Sequence, residues 1–146
     1  MQLISLLILN IMLGGPHWQP DFETAKNVAQ KEHRLILVNF SGSDWCSPCI
    51  RMHKDIFESV EFNQFADISL AMVNADFPRL KAHQLPPDQQ KKNEQLADAY
   101  NPQGKFPFTV LLDESGKSLK SWEGYPAEGL SGFVETIKSI YSQKKP

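Results

Sequence analysis

No apolar run in the 146-residue chain approaches the roughly 20 residues that a bilayer-crossing helix needs. The longest apolar stretch of the N-terminus, Leu3 to Leu13, is interrupted by Ser5 and Asn10, which argues against a spanning anchor there. Positive charge is not in excess either: 15 Lys and Arg stand against 17 Asp and Glu, for a formal charge of −2, and they are spread along the chain. The basic stripe that neutralises nucleic-acid phosphates is therefore missing, and nucleic acid is excluded as an expected partner. Glycine is sparse, with eight residues, and there is no internal repeat, which together exclude low-complexity and repeat architectures. Cysteine is rarest of all: the two in the chain, Cys46 and Cys49, lie two residues apart.

What is present is the composition of a compact domain, 41% hydrophobic and 10% aromatic, with room for little beyond one core. Leu3 to Leu13 is followed by Gly14, Gly15 and Pro16 and then by polar sequence, the pattern of a signal-peptide core. Residues 1–15 are accordingly expected to be a cleaved signal peptide and 16–146 the folded domain, exported to a periplasm or a similar oxidising space. The competing expectation is an apolar first strand or helix packed on that domain.

Along the domain, Asp21 is placed to cap a helix whose apolar side carries Phe22, Ala25, Val28 and Ala29. Leu35 to Phe40 is a short continuous apolar run, the signature of a strand buried on both faces. A turn over Ser41 to Trp45 leads to a helix from Cys46 to about Ser59, with Met52, Ile56 and Phe57 on its inner side. A second buried strand is expected over Ile68 to Phe77, then a polar surface connection, a helix over Asp88 to Tyr100 and a hairpin of Phe108 to Asp113 with Ser118 to Glu123. Leu130, Phe133, Val134, Ile137 and Tyr141 repeat at helical spacing and predict a C-terminal amphipathic helix. The order α-β-α-β-α-β-β-α describes an α/β domain: a mixed central sheet covered by helices on both faces.

The cysteines sit at the start of a helix, where unpaired backbone N–H groups favour a thiolate, so Cys46 is the expected nucleophile. Cys49, nearly one turn on, shares its face and can close a disulfide with it, which makes Cys49 the expected resolving thiol. A disulfide closing so short a loop removes little chain entropy and is a poor structural staple.

The motif Trp45-Cys46-Ser47-Pro48-Cys49 after a buried strand, with Phe106-Pro107 ahead of a later one, resembles the thioredoxin superfamily. Trp18, the helix over Asp21 to Glu32, and the stretches "LVNFSGSDWCSPC" and "NEQLADAY…GKFPFTVLLDESGK" are similar to exported thioredoxin-like proteins related to the soluble thiol domain of transmembrane disulfide reductases. The resemblance implies a thioredoxin fold and a thiol-disulfide oxidoreductase that needs no cofactor beyond the Cys46-Cys49 couple. It implies a cis-proline at Pro107 facing that couple, with Trp45, Phe106 and Pro107 contacting substrate. Disulfide-containing proteins are the implied substrates, a membrane electron donor or acceptor the implied redox partner, and a monomer the expected state. Reduction is the expected direction, with oxidation left open by a dipeptide, Ser47-Pro48, that keeps thioredoxin's proline but not its glycine.

Two further residues qualify this reading. The buried aspartate of thioredoxin is matched here by Asn39, which cannot accept a proton, so proton transfer from Cys49 is left to water, Asp44 or another group. His53 follows Cys46 and Cys49 at helical spacing, and the alternative function is a non-catalytic module binding a protein or a soft metal through Cys46, Cys49 and His53. Three ligands spread over roughly 10 Å of one helix converge poorly on an ion, and the simpler expectation for His53 is a half-buried residue beside the core. Asp44 is expected chiefly as a turn residue. Trp18, Trp122 and Tyr125 are expected as packing aromatics.

Overall fold

A computed structural model describes residues 17–144. The expected signal peptide over residues 1–15 lies outside the described residues.

Helix α1 (Phe22–Glu32) begins where the sequence places it. Asp21, in an extended conformation, accepts the Thr24 backbone N–H at 2.8 Å, and its other oxygen accepts Lys92 Nζ at 2.9 Å. The Thr24 N–H first, and Lys92 after it, hold the Asp21 carboxyl down at about 2. A carboxylate depressed in the fold stabilises above its unfolded value and loses that contribution as the pH falls through its folded value. Asp21→Ala is therefore expected to cost about 1–2 kcal/mol at pH 7, with allowance for a partly solvated side chain, and progressively less between about pH 4 and 2. Urea unfolding of both proteins across that range checks it.

Strand β1 (Leu35–Ser41) is buried along its whole length and is central in a four-stranded sheet of order β2-β1-β3-β4. It pairs in parallel with β2 (Leu70–Asp76) and antiparallel with β3 (Phe108–Leu112), which is joined by a hairpin to β4 (Ser118–Glu123). The period of two sorts its side chains. Leu35 and Leu37 enter one core with Met52, Phe57, Phe62 and Phe133, while Ile36, Val38 and Phe40 enter another with Ala25, Ala29 and Leu96. The first core lies under α2 (Ser47–Met52), α3 (Val60–Ser69) and α5 (Gly129–Lys144), the second under α1 and α4 (Pro87–Tyr100). This is the mixed sheet with helices on both faces that the sequence predicts. Each fully buried Phe contributes about 1.5–3 kcal/mol, and three of them interlock with Trp122: Phe57 lies 5.3 Å from Phe62, Phe62 6.1 Å from Phe133 and Phe133 4.8 Å from Trp122.

Trp18 packs edge-on against Phe57 at 5.2 Å and bridges to Met72, and Gln19 N donates to Met72 O at 2.7 Å. The segment before α1 thus covers part of the outer edge of β2, which limits edge-to-edge pairing.

One expected element divides. In place of a single helix from Cys46 to Ser59, α2 continues as a π-helical turn over His53–Phe57 and then stops. Ser59 is the cause: its Oγ donates to Ile56 O at 2.6 Å and accepts Phe62 N at 3.2 Å, closing one helix and capping the next. Helix α3 takes Ile68 and Ser69, which the sequence assigns to the strand, and Ile68 is 71% exposed on its last turn.

Candidate active site

The site is assembled at the C-terminal end of β1. Gly42 O accepts both Trp45 N (3.2 Å) and Cys46 N (2.9 Å), turning the chain back into α2. Cys46 is the N-cap residue, and its Sγ accepts the Cys49 backbone N–H at 3.4 Å. Cys46 and Cys49 are joined as a disulfide with their Cα atoms 5.2 Å apart, and both are buried. On reduction, a thiolate left at Cys46 keeps that N–H donor, while Cys49 lies within the first turn of α2.

The Phe106-Pro107 peptide bond is cis. Pro107 O accepts Gly124 N at 2.8 Å, whereas no hydrogen bond reaches the Phe106 main chain within the described residues. Phe106 makes edge contacts with Trp45 (5.4 Å) and Phe77 (5.5 Å). Trp45 Nε1 donates to Phe77 O at 2.8 Å, and the ring rests so close to Gly42 that a Cβ there would overlap it. Trp45, which precedes Cys46, and Phe106, far apart in sequence, are thus brought together by the turn after β1, the segment after β2 and the turn before β3.

Asp44 does more than shape a turn. Its Oδ1 accepts Arg79 N at 2.9 Å, its Oδ2 accepts Leu80 N at 2.9 Å, and His83 Nδ1 lies 3.0 Å from Oδ2. The Arg79 N–H leads in holding this carboxyl below its usual range, with Leu80 N–H and His83 adding and desolvation opposing. Asp44 is therefore committed to the loop after β2. The sequence marks that loop only as a polar surface connection, and does not single out Arg79 within it, because the contacts join residues about 35 positions apart.

Asn39 lies on the same side of β1 as Leu35 and Leu37, the side that α2 covers. It is buried, donates Nδ2 to Asn74 Oδ1 at 2.9 Å and accepts Thr109 Oγ1 at 3.1 Å, its register partners on the two neighbouring strands. Asn74, Asn39 and Thr109 thus form a satisfied polar row without a titratable group across β2, β1 and β3.

His53 departs from expectation. Its side chain is 56% exposed, not half-buried beside the core, and its Nε2 lies 3.3 Å from Glu58 Oε1. Among the described residues no group of three or more His, Cys, Asp or Glu is placed to hold a metal ion. Trp122 is buried against Phe133 and donates Nε1 to Glu128 Oε1 at 2.7 Å, and Tyr125 packs at the edge of the same core.

A thioredoxin-like domain family model matches residues 22–137. The disulfide bond reductase DsbH of Chlamydia pneumoniae is 38% identical over 122 residues, covering 84% of this chain and 70% of that protein. The thioredoxin-related protein DsbJ of Chlamydia pneumoniae is 40% identical over 45 residues, 31% of this chain and 13% of its own. Among solved structures, a DsbH oxidoreductase superposes with a TM-score of 0.79 at 31% identity, covering 97% of this chain and 95% of its own. A thioredoxin from Thermus thermophilus superposes with a TM-score of 0.64 at 15% identity, over 90% of this chain and 91% of its own, a likeness of fold.

Proposed function

Because the chain belongs to the thioredoxin-like family, we propose that it works as a thiol-disulfide oxidoreductase of the reductase kind. The observation that carries this reading is the closed Cys46-Cys49 pair at a helix start, preceded by Trp45, whose ring meets Phe106 of a cis-proline turn. The Cys46 thiolate attacks one sulfur of a substrate disulfide, forming a mixed disulfide and expelling one substrate thiolate. Cys49, as thiolate, then attacks Cys46 Sγ, which expels the second substrate thiolate and closes Cys46-Cys49. Two electrons pass from the protein dithiol to the substrate.

Trp45, Phe106 and Pro107 form the substrate-contacting wall, and the Phe106 main chain pairs with an extended substrate segment in the manner of an added strand. Asn39 takes no proton in this cycle, so the Cys49 proton leaves to solvent. Asp44, filled by two backbone donors and His83, is not available for it. His53, turned to Glu58, favours no metal-binding alternative.

Residues 1–15 direct export, and the domain works in an oxidising space on disulfide-containing proteins, as a monomer. No helix among the described residues is long and apolar enough to cross a membrane. A reductant in such a space has to be recharged, and a membrane electron-donor protein is the partner that this requirement calls for.

The test is a thiol-trapping redox titration of the purified protein against dithiol buffers. One two-electron step near the thioredoxin range, about −270 mV, is the expected result. A step near about −120 mV would make the protein an oxidant, and cysteines that neither pair nor titrate would remove the enzymatic reading.

A further inference from the structure

The segment from Phe77 to Gln84 is tied down against the turn that precedes Cys46. Asp44 accepts Arg79 N and Leu80 N, and Asp76 accepts Ser43 N at 2.9 Å, Ser43 Oγ at 2.5 Å and Phe77 N at 3.0 Å. Both carboxylates at this end of the sheet are thus occupied by their own loops. Glu123, near the cis-proline turn, is paired with Lys105 Nζ at 2.7 Å.

The Arg79 side chain takes no share in these pairs. Among the described residues it has no carboxylate within ion-pairing distance, and it is exposed. Its guanidinium carbon lies 3.6 Å from the centroid of the Trp45 ring, in the residue adjacent to Cys46. Contact through the flat face of a guanidinium leaves its in-plane N–H donors free, and those donors match a carboxylate in bidentate geometry. Trp45 is itself fixed by Phe77 O and Phe106, so the cation is held at a set place beside the substrate wall. A second exposed arginine, Arg51 of α2, lies 4.3 Å over Tyr125, next to the Gly124 that bonds Pro107.

We propose that Arg79 is a specificity-determining residue that selects disulfides flanked by acidic side chains. The proposal deepens the thiol-disulfide reading and rests on it for its substrate. Arg79 is not asked to do chemistry: it binds a carboxylate one or two residues from the attacked sulfur and so lowers KM for acidic segments.

The experiment compares two disulfide peptides of equal length, one with glutamates and one with lysines flanking the cystine, reduced by the wild type, Arg79→Gln and Arg79→Lys. The wild type is expected to prefer the glutamate peptide by roughly five- to twentyfold in kcat/KM, mostly through KM. Arg79→Gln should bring the ratio to within about twofold of unity and Arg79→Lys should restore part of it. Any general effect of the charge on Cys46 reactivity acts on both peptides and cancels in the ratio. A wild type without preference, or an unchanged ratio in Arg79→Gln, overturns the proposal. In parallel, peptides with serine in place of cysteine are titrated onto the oxidised protein, following the Trp45 indole N–H resonance. Tighter binding of the glutamate peptide, lost in Arg79→Gln, upholds the selectivity even where turnover is absent, in which case the reductase reading alone fails.

Discussion

Cys49→Ser is expected to stall after the first exchange, with the substrate left covalently attached to Cys46. Turnover should fall by at least roughly a thousandfold, the scale on which loss of one member of a reacting pair is felt. The stalled protein should be recoverable as an adduct whose mass exceeds that of the free chain by one substrate thiol. Cys46→Ser should lose turnover to a similar extent and form no adduct. The asymmetry follows from position: Cys46 is at the N-cap, with the Cys49 N–H on its sulfur, whereas Cys49 is one turn into a helix packed on the core. An adduct on Cys49 in the Cys46→Ser protein would reverse the two roles. Retained turnover in both variants would mean that the chain acts by something other than thiol exchange. Neither variant is expected to unfold, because a disulfide across so few residues constrains the unfolded chain weakly, and far-UV circular dichroism of the two proteins checks that.

The parts of this molecule that were legible in the sequence are those fixed by local pattern. The continuous apolar run at Leu35 marks the central strand, Asp21 its helix cap, and the spacing of Phe133, Val134 and Ile137 the helix that closes the first core. Helix α3 escaped because Val60 and Ile68 are apolar yet 72% and 71% exposed, so its pattern does not separate an inner from an outer side. Ile68 and Ser69 then merge with the strand that follows. The cysteine pair was legible for the same local reason, and Phe106-Pro107 through resemblance. Arg79 and the committed Asp44 carboxylate were not, because they depend on side-chain-to-backbone bonds between the turn after β1 and the loop after β2, which only the parallel register of those strands brings together.

Asn39→Asp should make stability strongly dependent on pH where the wild type is not. Asn39 uses Nδ2 to donate to Asn74 and Oδ1 to accept from Thr109, within a side chain that is 5% exposed. A protonated aspartic acid reproduces both bonds, its O–H donating to Asn74 Oδ1 in place of the amide. The ionised form sets a negative oxygen against Asn74 Oδ1 unless that amide turns over, and it is stripped of water as well. Both effects favour the neutral acid, so the folded-state pKa rises above the unfolded value of about 3.9. For a carboxyl shifted upward, stability matches that of the parent below the unfolded value and is lost as the pH climbs to the folded one. A rise of two to three units corresponds to about 3–4 kcal/mol, a large part of the stability of a domain of this size. Denaturant unfolding should therefore show Asn39→Asp close to the wild type near pH 4 and weakest near pH 8. A loss that is equal at both pH values would mean that the carboxyl titrates in the fold as it does in the unfolded chain and that packing alone is disturbed, and the polar row would not be the constraint described. The same constraint explains the residue's chemistry in the parent: an amide holds three strands together at any pH and takes up no proton.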